Sequence, residues 1–274
     1  MVLMTGLSIV LFVVLGLLTG SFLNVCIDRL PQRKSIAFPP SHCESCSRKL
    51  AVTDLIPVFS YLFLRGRCRT CAARIPVRIP IVELVTAVLF GLFAWHFGLT
   101  FELVVFIVYS SLFIVIFVID LENQLVLNVI TYPAVVLAFV VSLFRPDILA
   151  VDGMGSGAVA GAVTPALGTI GARAVISLMG GAAGLVIMAL PYIVYPKGMG
   201  LGDIKLALLV GLMVGYPLII MTVFFSWILG GLTAGFLLAF KIKGRKDAIP
   251  AAVFMVTAAL VTLLWGQDIW AWYF

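Results

Sequence analysis

Apolar runs long enough to cross a lipid bilayer recur along this chain and constrain its fold more than any other feature. A transmembrane helix needs about 20 consecutive apolar residues. Of the 274 residues, 63% are hydrophobic and 11% are charged, whereas soluble domains carry about 25% charged residues. The pattern predicts an all-α polytopic membrane protein. We expect eight transmembrane helices, at residues 7–27, 81–97, 101–119, 129–144, 174–195, 204–214, 218–240 and 249–264. The sixth is short, and we expect it deep in the helix bundle.

Basic residues are concentrated in the polar segment 28–79. Ten of the 18 Lys and Arg residues lie there, against three acids. Because basic loops stay on the cytoplasmic side of a membrane, we interpret this charge as setting orientation, not as binding nucleic acid. The basic residues 241–246 then share that side, and both termini lie opposite. The predicted domains are a first transmembrane helix (1–27), a cytoplasmic segment (28–79) and a membrane core (80–274).

Two Cys-x-x-Cys pairs lie in segment 28–79, Cys43 with Cys46 and Cys68 with Cys71. The cytoplasm is reducing, which favours metal binding over disulfides there. The spacing is close to that of structural zinc sites with four thiolates. With four protein ligands such a site is closed, so we expect zinc to stabilise the segment rather than to catalyse. His42 is an alternative ligand, and Cys26 has no assigned role.

Two acidic residues border apolar spans. The third span runs inward and ends at Asp120, while the fifth runs inward and is followed by Asp203. Counting spans therefore places both carboxylates at one depth, near the cytoplasmic face. A carboxylate at the edge of lipid is costly and is by default a functional candidate.

Two carboxylates at close range do not both ionise easily, so one keeps a proton while the other acts as a base. That arrangement activates water for amide hydrolysis. We expect Gly200 and Gly202 to leave room for a peptide backbone beside Asp203. Two alternatives stay open. Asp203 can form a structural ion pair with Lys205, or the two acids can line a proton or cation path, as in a transporter.

Other features have less specific interpretations. Glu83, near the start of the second span, is expected either to pair with Arg78 or to face a cofactor pocket. Glycines four residues apart permit close approach of helices in lipid. They lie at 157/161, 180/184, 211/215 and 231/235. Residues 158–172 fit a surface helix, a loop or an extension of the next span.

Several stretches together resemble the type IV prepilin peptidases, which belong with the GxGD membrane aspartyl proteases. They are GSFLNV (20–25), IPVFSYL (56–62), LRGRCR (64–69), RIPIVEL (78–84) and GMGLGDIKL (198–206). The family usually has Leu-Pro-Asp or Ile-Pro-Asp where this chain has VLN (126–128). This difference favours Asp120 as the first catalytic acid. IPAA (249–252) replaces a common Ile-Pro-Phe-Gly.

The resemblance implies a bifunctional enzyme of the bacterial cytoplasmic membrane. It implies cleavage of the short basic leader of prepilins and pseudopilins at the cytoplasmic face, by Asp120 and Asp203. It also implies N-methylation of the newly exposed residue, with S-adenosylmethionine as the methyl donor and segment 28–79 associated with that activity. No methyltransferase residues are assigned, and the oligomeric state and the particular pilin stay open.

Overall fold

The computed structural model describes residues 2–145, 156–194, 200–242, 244 and 249–273. These residues form nine α-helices, with no strand among them. The helices are α1 (Val2–Arg29), α2 (Phe59–Phe63), α3 (Arg78–Phe97), α4 (Phe101–Asn123), α5 (Asn128–Ser142), α6 (Ser156–Val194), α7 (Leu201–Val214), α8 (Leu218–Ala239) and α9 (Ala251–Tyr273).

Six helices in the described ranges are long and apolar enough to cross a membrane: α1, α3, α4, α6, α8 and α9. Helix α5 is apolar but shorter. The prediction of an all-α polytopic membrane protein is confirmed. Helix α7 has 14 residues and so rises about 21 Å, less than the roughly 30 Å of a bilayer core. The sixth predicted span, expected to be short, is therefore a helix shorter than the bilayer core.

Residues 158–172, left undecided by the sequence, belong to α6 and extend the following span. The extension is broken at Gly168, which has φ 70° and ψ 179°, a conformation that only glycine adopts readily. Most of residues 145–157, between the fourth and fifth predicted spans, lie outside the described residues, as do Gly198, Met199 and half of the basic stretch 241–246.

The chain divides into two compact units, Met1–Val115 and Ile116–Phe274, while the domain boundaries expected from the sequence stay a prediction. In the first unit α1 packs along α3, and glycines bring the two backbones into contact. A Cβ atom on Gly16 would lie 2.6 Å from Ala87 Cα, and one on Gly20 would lie 2.7 Å from Glu83 Cα. The C-terminal end of α1 and the N-terminal end of α3 flank segment 28–79 in the sequence, so their contact fixes where that segment starts and ends.

In the second unit α7 is the central helix, and α5, α6, α8 and α9 surround it. Its residues from Leu206 to Val214 are buried apart from Leu208. At its C-terminal end the buried Arg145 donates a hydrogen bond of 2.7 Å to the Met213 carbonyl, where a cation complements the helix dipole. The opposite end of α7 carries Asp203, so the packing of this helix fixes the position of that carboxylate.

Glycine spacing explains how α7 approaches α6. A Cβ atom on Gly180 would clash with Gly211 O, and one on Gly184 would lie 2.5 Å from Ala207 O. For 180/184 and 211/215 the predicted role in close packing is confirmed. Gly231 and Gly235 instead face open space, since apart from the adjacent backbone of α8 no described atom lies within 4 Å of the position that a Cβ atom would take there.

Replacing Gly211 by Ala should destabilise the protein strongly. Its Cβ atom would clash with the Gly180 carbonyl oxygen, so α6 and α7 must separate, and overpacking of this kind typically costs about 1–3 kcal/mol. Gly231→Ala is the matched control and should leave the thermal midpoint in detergent unchanged. Equal midpoints for the two variants would contradict the backbone contact between α6 and α7.

Candidate active site

Asp203 lies in the first turn of α7. Gly200 precedes the helix with extended backbone angles (φ −81°, ψ 145°) and donates its N–H to Asp203 Oδ2 at 3.2 Å. A carboxylate is favoured at this position, because the unpaired N–H groups of a helix N-terminus attract negative charge. The Asp203 side chain is half-buried, so it remains within reach of a substrate.

The glycine beside it has a structural use within the chain itself. A Cβ atom on Gly202 would lie 2.8 Å from Val126 Cβ, whereas one on Gly200 would meet Asp203 Oδ2 only at 3.5 Å. The absence of a side chain at Gly202 therefore lets α7 start against the segment that follows α4. The role in accommodating a substrate backbone stays a prediction for both glycines.

Asp120 lies near the end of α4 and is 4% exposed. Its Oδ2 accepts the Ala252 N–H at 2.9 Å, and the Val253 N–H also donates to this carboxylate. Both donors belong to the first turn of α9, so the N-terminus of α9 fixes the orientation of Asp120. These donors were not predicted from the sequence. Pro250, directly before the helix, was the available signal, since proline favours helix starts.

The two carboxylates lie close enough to interact electrostatically. Burial raises the pKa of Asp203 to about 6, the Gly200 N–H opposes this shift, and the negative charge of Asp120 adds to it. Asp203 belongs to α7, outside the helices long enough to cross a membrane. The second unit thus brings together the two acids that counting spans placed at one depth.

The Lys205 ammonium, the sequence-based alternative partner of Asp203, binds elsewhere. It donates to Asn128 Oδ1 at 2.9 Å and lies 5.3 Å from the centre of the Tyr132 ring. Within the described ranges, the ion pairs join Arg48 and Arg69 to Asp54, and Arg78 to Asp28. Asp203 takes part in none of these pairs, so its carboxylate is left to interact with Asp120.

The four cysteines of segment 28–79 form one cluster. The Sγ atoms of Cys43, Cys46, Cys68 and Cys71 all lie within 4.8 Å of one another, and His42 is not part of the group. Cys43 Sγ and Cys71 Sγ are 3.8 Å apart. A tetrahedral zinc ion with Zn–S bonds of about 2.3 Å places its sulfurs about 3.8 Å apart. The tetrad therefore fits a zinc ion.

The two Cys-x-x-Cys turns have the same backbone. The residue after each second cysteine has positive φ, 56° at Ser47 and 55° at Ala72. The N–H groups of Cys46 and Ser45 lower the pKa of the Cys43 thiol. Those of Cys71 and Thr70 likewise lower the pKa of the Cys68 thiol to about 6. Thiolates are the form that binds metal, so this local geometry favours a metal site.

Asp54 connects the two turns. Its side chain is 3% exposed and accepts from Arg48 at 2.6 Å and from Arg69 at 3.0 Å. Arg48 follows the first cysteine pair and Arg69 lies within the second. This bridge holds the two halves of the tetrad together from outside the metal site.

Glu83 is the other buried acid of the first unit. It is 4% exposed, its Oε2 accepts the Val58 N–H at 2.7 Å, and the Ser21 hydroxyl also donates to it. Arg78, the partner expected from the sequence, lies 2.6 Å from Asp28. Glu83 thus anchors segment 28–79 to the packed pair of helices α1 and α3.

Comparison with known proteins extends over both units. The model of the bacterial peptidase A24 N-terminal domain matches residues 14–97, and that of the type IV leader peptidase family matches residues 106–235. A prepilin leader peptidase/N-methyltransferase of Pseudomonas putida is 31% identical, over 96% of this chain and 92% of its own length. The chain belongs to the type IV leader peptidase family. The first match contains the cysteine tetrad and Glu83, and the second contains both aspartates.

Other members of the family carry the same name. A prepilin leader peptidase/N-methyltransferase of Bacillus subtilis is 30% identical over 95% of both chains. Another, from Myxococcus xanthus, is 46% identical over 120 residues, which cover 44% of this chain and 36% of its own. No solved structure gives a significant match to the chain.

Proposed function

We propose that this protein cleaves the short basic leader from type IV prepilins or pseudopilins and then N-methylates the residue that cleavage exposes. The observation that carries the proteolytic half is the pair of carboxylates, Asp120 and Asp203, of which one acts on the charge state of the other. Membership of the family and the full-length relatives named for both activities support the two halves together.

The surroundings of the two acids suggest separate roles. Two N–H groups at the start of α9 point at Asp120 and stabilise a negative charge there. Asp120 is then the base that takes a proton from water, whose oxygen attacks the scissile carbonyl. Asp203 holds the other proton and gives it to the carbonyl oxygen. Collapse of the tetrahedral intermediate breaks the C–N bond, and the leaving amine takes a proton from the pair.

The location follows from the substrate. A prepilin has a basic leader on the cytoplasmic side followed by an apolar helix, so a protease for it belongs at that membrane face. We place the protein in the bacterial cytoplasmic membrane, with the tetrad and both aspartates facing the cytoplasm. The concentration of basic residues in segment 28–79 supports this orientation. Prepilins and the lipid bilayer are then its partners.

The protein has two proposed cofactors. The cysteine tetrad holds one zinc ion, which fixes the fold of segment 28–79 without touching substrate. S-adenosylmethionine supplies the methyl group, as the names of the relatives suggest.

The test of this function is an incubation of the purified protein in lipid vesicles with a prepilin and methyl-labelled S-adenosylmethionine. Mass spectrometry of the product should find the leader removed and one labelled methyl group on the new N-terminus. A proton-coupled transporter is the alternative use of the two acids. It would instead show a proton or substrate flux that Asp203→Asn abolishes, with the prepilin left intact.

Cleavage should fall as pH rises through about 6, the pKa of Asp203. The proposed acid is protonated below that pH and loses its proton above it, so the alkaline limb of kcat/KM reports Asp203. The profile is measured in vesicles from about pH 5 to about pH 9, with thermal midpoints recorded alongside to exclude unfolding. A rate that rises steadily across that range would contradict the assignment of Asp203 as the acid.

A further inference from the structure

A strip of polar groups lies between α1 and α3, apart from the two aspartates. It consists of Ser21 and Asn24 on α1 and Glu83 on α3, and both Asn24 and Glu83 are 4% exposed. Ser21 donates to the Glu83 carboxylate. Buried polar groups are costly unless they are paired, so each buried polar atom of the strip needs a hydrogen-bond partner.

Asn24 leaves one buried acceptor without a partner. Its Nδ2 donates to Gly20 O at 3.2 Å and to Ile79 O at 3.1 Å. Because the Gly20 and Ile79 carbonyls can only accept, the amide nitrogen must face them, which fixes the amide orientation. The amide oxygen Oδ1 is then left without these partners. That oxygen is buried and has no hydrogen-bond partner among the described residues. Such orphaned acceptors are rare in folded proteins and call for an explanation. A donor from a ligand would supply one.

The orphaned oxygen and the carboxylate are neighbours on the same interface. Asn24 is bonded to Gly20 and Ile79, and a Cβ atom on Gly20 would lie 2.7 Å from Glu83 Cα. Ile79 and Glu83 are four residues apart on α3, which is one helical turn. The helices therefore present a carboxylate and an amide oxygen one turn apart. The carboxylate already accepts from Val58 and Ser21, and the amide oxygen lacks a donor.

A ligand that satisfies two acceptors, one of them anionic, is a cation with several N–H groups. The reaction proposed above generates such a group, because removing the leader exposes a primary α-amine. An α-amine has a pKa of about 7.7–8.0 and is mostly protonated at neutral pH. In that form it has no lone pair for methyl transfer and needs a base.

We propose that Glu83 and the Asn24 amide oxygen bind the α-amino group exposed by cleavage, and that Glu83 removes its proton for methylation. This inference rests on the proposed function and assigns residues to its second half. The amine nitrogen, once deprotonated, attacks the methyl carbon of the sulfonium donor. The N–CH₃ bond forms, and the S–CH₃ bond breaks with its electron pair remaining on sulfur. The proton held by Glu83 passes to solvent.

Glu83 also contacts the zinc-bearing segment, which links the two features. Its Oε2 accepts the N–H of Val58, a β-branched residue held at φ 61°, a conformation that such residues avoid. A purely structural Glu83 would serve only to hold this strained turn. The side-chain oxygen of a glutamine can accept the same N–H, so Glu83→Gln separates the structural role from the role of the charge.

The first test compares Glu83→Gln and Glu83→Asp with the parent protein. Glu83→Gln should lower the rate of methylation about 100-fold, the loss expected for a general base, while cleavage and zinc content stay unchanged. Glu83→Asp should recover part of the rate. Glu102→Gln, a change of an acid elsewhere in the first unit, is the matched control and should methylate normally. Parental methylation by Glu83→Gln would overturn the inference.

The second test measures binding without any methyl donor. The probe is a synthetic peptide with the mature N-terminal sequence of a pilin, either with a free α-amine or N-acetylated. The parent should bind the free-amine peptide about 30-fold more tightly than the acetylated one, because losing a buried charged contact lowers affinity by about that factor. Glu83→Gln and Asn24→Ala should lose this preference. An equal preference in parent and variants would overturn the inference, even where a variant folds poorly in the first test.

The outcomes distinguish this inference from the function on which it rests. If the parent protein removes the leader but transfers no methyl group, the second half of the proposed function fails and the inference fails with it. If the parent methylates and Glu83→Gln does so equally well, the function stands and only the assignment of Glu83 is overturned.

Discussion

Replacing Asp203 or Asp120 by Asn should abolish leader cleavage while the protein still accumulates in membranes. The amide keeps the size of the side chain but can neither take a proton from water nor give one to the carbonyl oxygen. Removing one member of a catalytic group that acts as a unit costs about 10⁴-fold or more in kcat. Cleavage is measured by mass spectrometry of a prepilin incubated in vesicles with each variant.

The matched control for these substitutions is Glu122→Gln. Glu122 lies two residues from Asp120 near the same end of α4 and is exposed, so its removal changes the local charge without touching the pair. This variant should cleave at the parental rate. Retained cleavage in either Asn variant would exclude the carboxylate pair as the catalytic group.

Replacing Cys43 and Cys46 together by Ser should remove zinc from the protein and unfold segment 28–79. Little core exists within that segment, where Val52, Leu62 and Phe63 are largely exposed. Metal binding therefore supplies its folding free energy, about 10–16 kcal/mol in zinc-finger peptides. Metal analysis should find close to one zinc ion per chain in the parent protein. In the variant it should find close to none.

Cys26→Ala is the control for this change. Cys26 is buried in α1 and lies outside the tetrad, so this variant should keep its zinc. Methylation should fall in the double variant, because Glu83 is hydrogen-bonded to Val58 in the same segment. Survival of cleavage would assign the two activities to separate sites. A double variant that retains a full zinc ion would contradict the tetrad as the binding site.

Hydropathy and charge were enough to predict the membrane helices, because a long apolar run avoids water by lying in the lipid bilayer. For α7, whose 14 residues are mostly apolar, the short predicted run was expected deep in the bundle, and other helices surround it. A short run of apolar residues does not by itself distinguish burial by helices from burial by lipid. Local glycine spacing had the same weakness, since 211/215 packs tightly and 231/235 does not.

The candidate site was predictable where it depended on sequence position and not where it depended on tertiary contacts. Counting spans placed Asp120 and Asp203 at one depth. The donors to Asp120, at the start of α9, lie 132 residues further along the chain, and no local pattern links them. The partner of Glu83 was also missed, because the Val58 N–H is a backbone group that any residue type except proline would supply.

The most direct test of the central claim is a comparison of the double substitution Asp120→Asn/Asp203→Asn with each single one. Cleavage rates are measured by mass spectrometry over long incubations in the same vesicles. If the two acids act as one pair, the double variant should be no slower than either single variant. Losses that multiply would mean that Asp120 and Asp203 act independently, which would contradict the account.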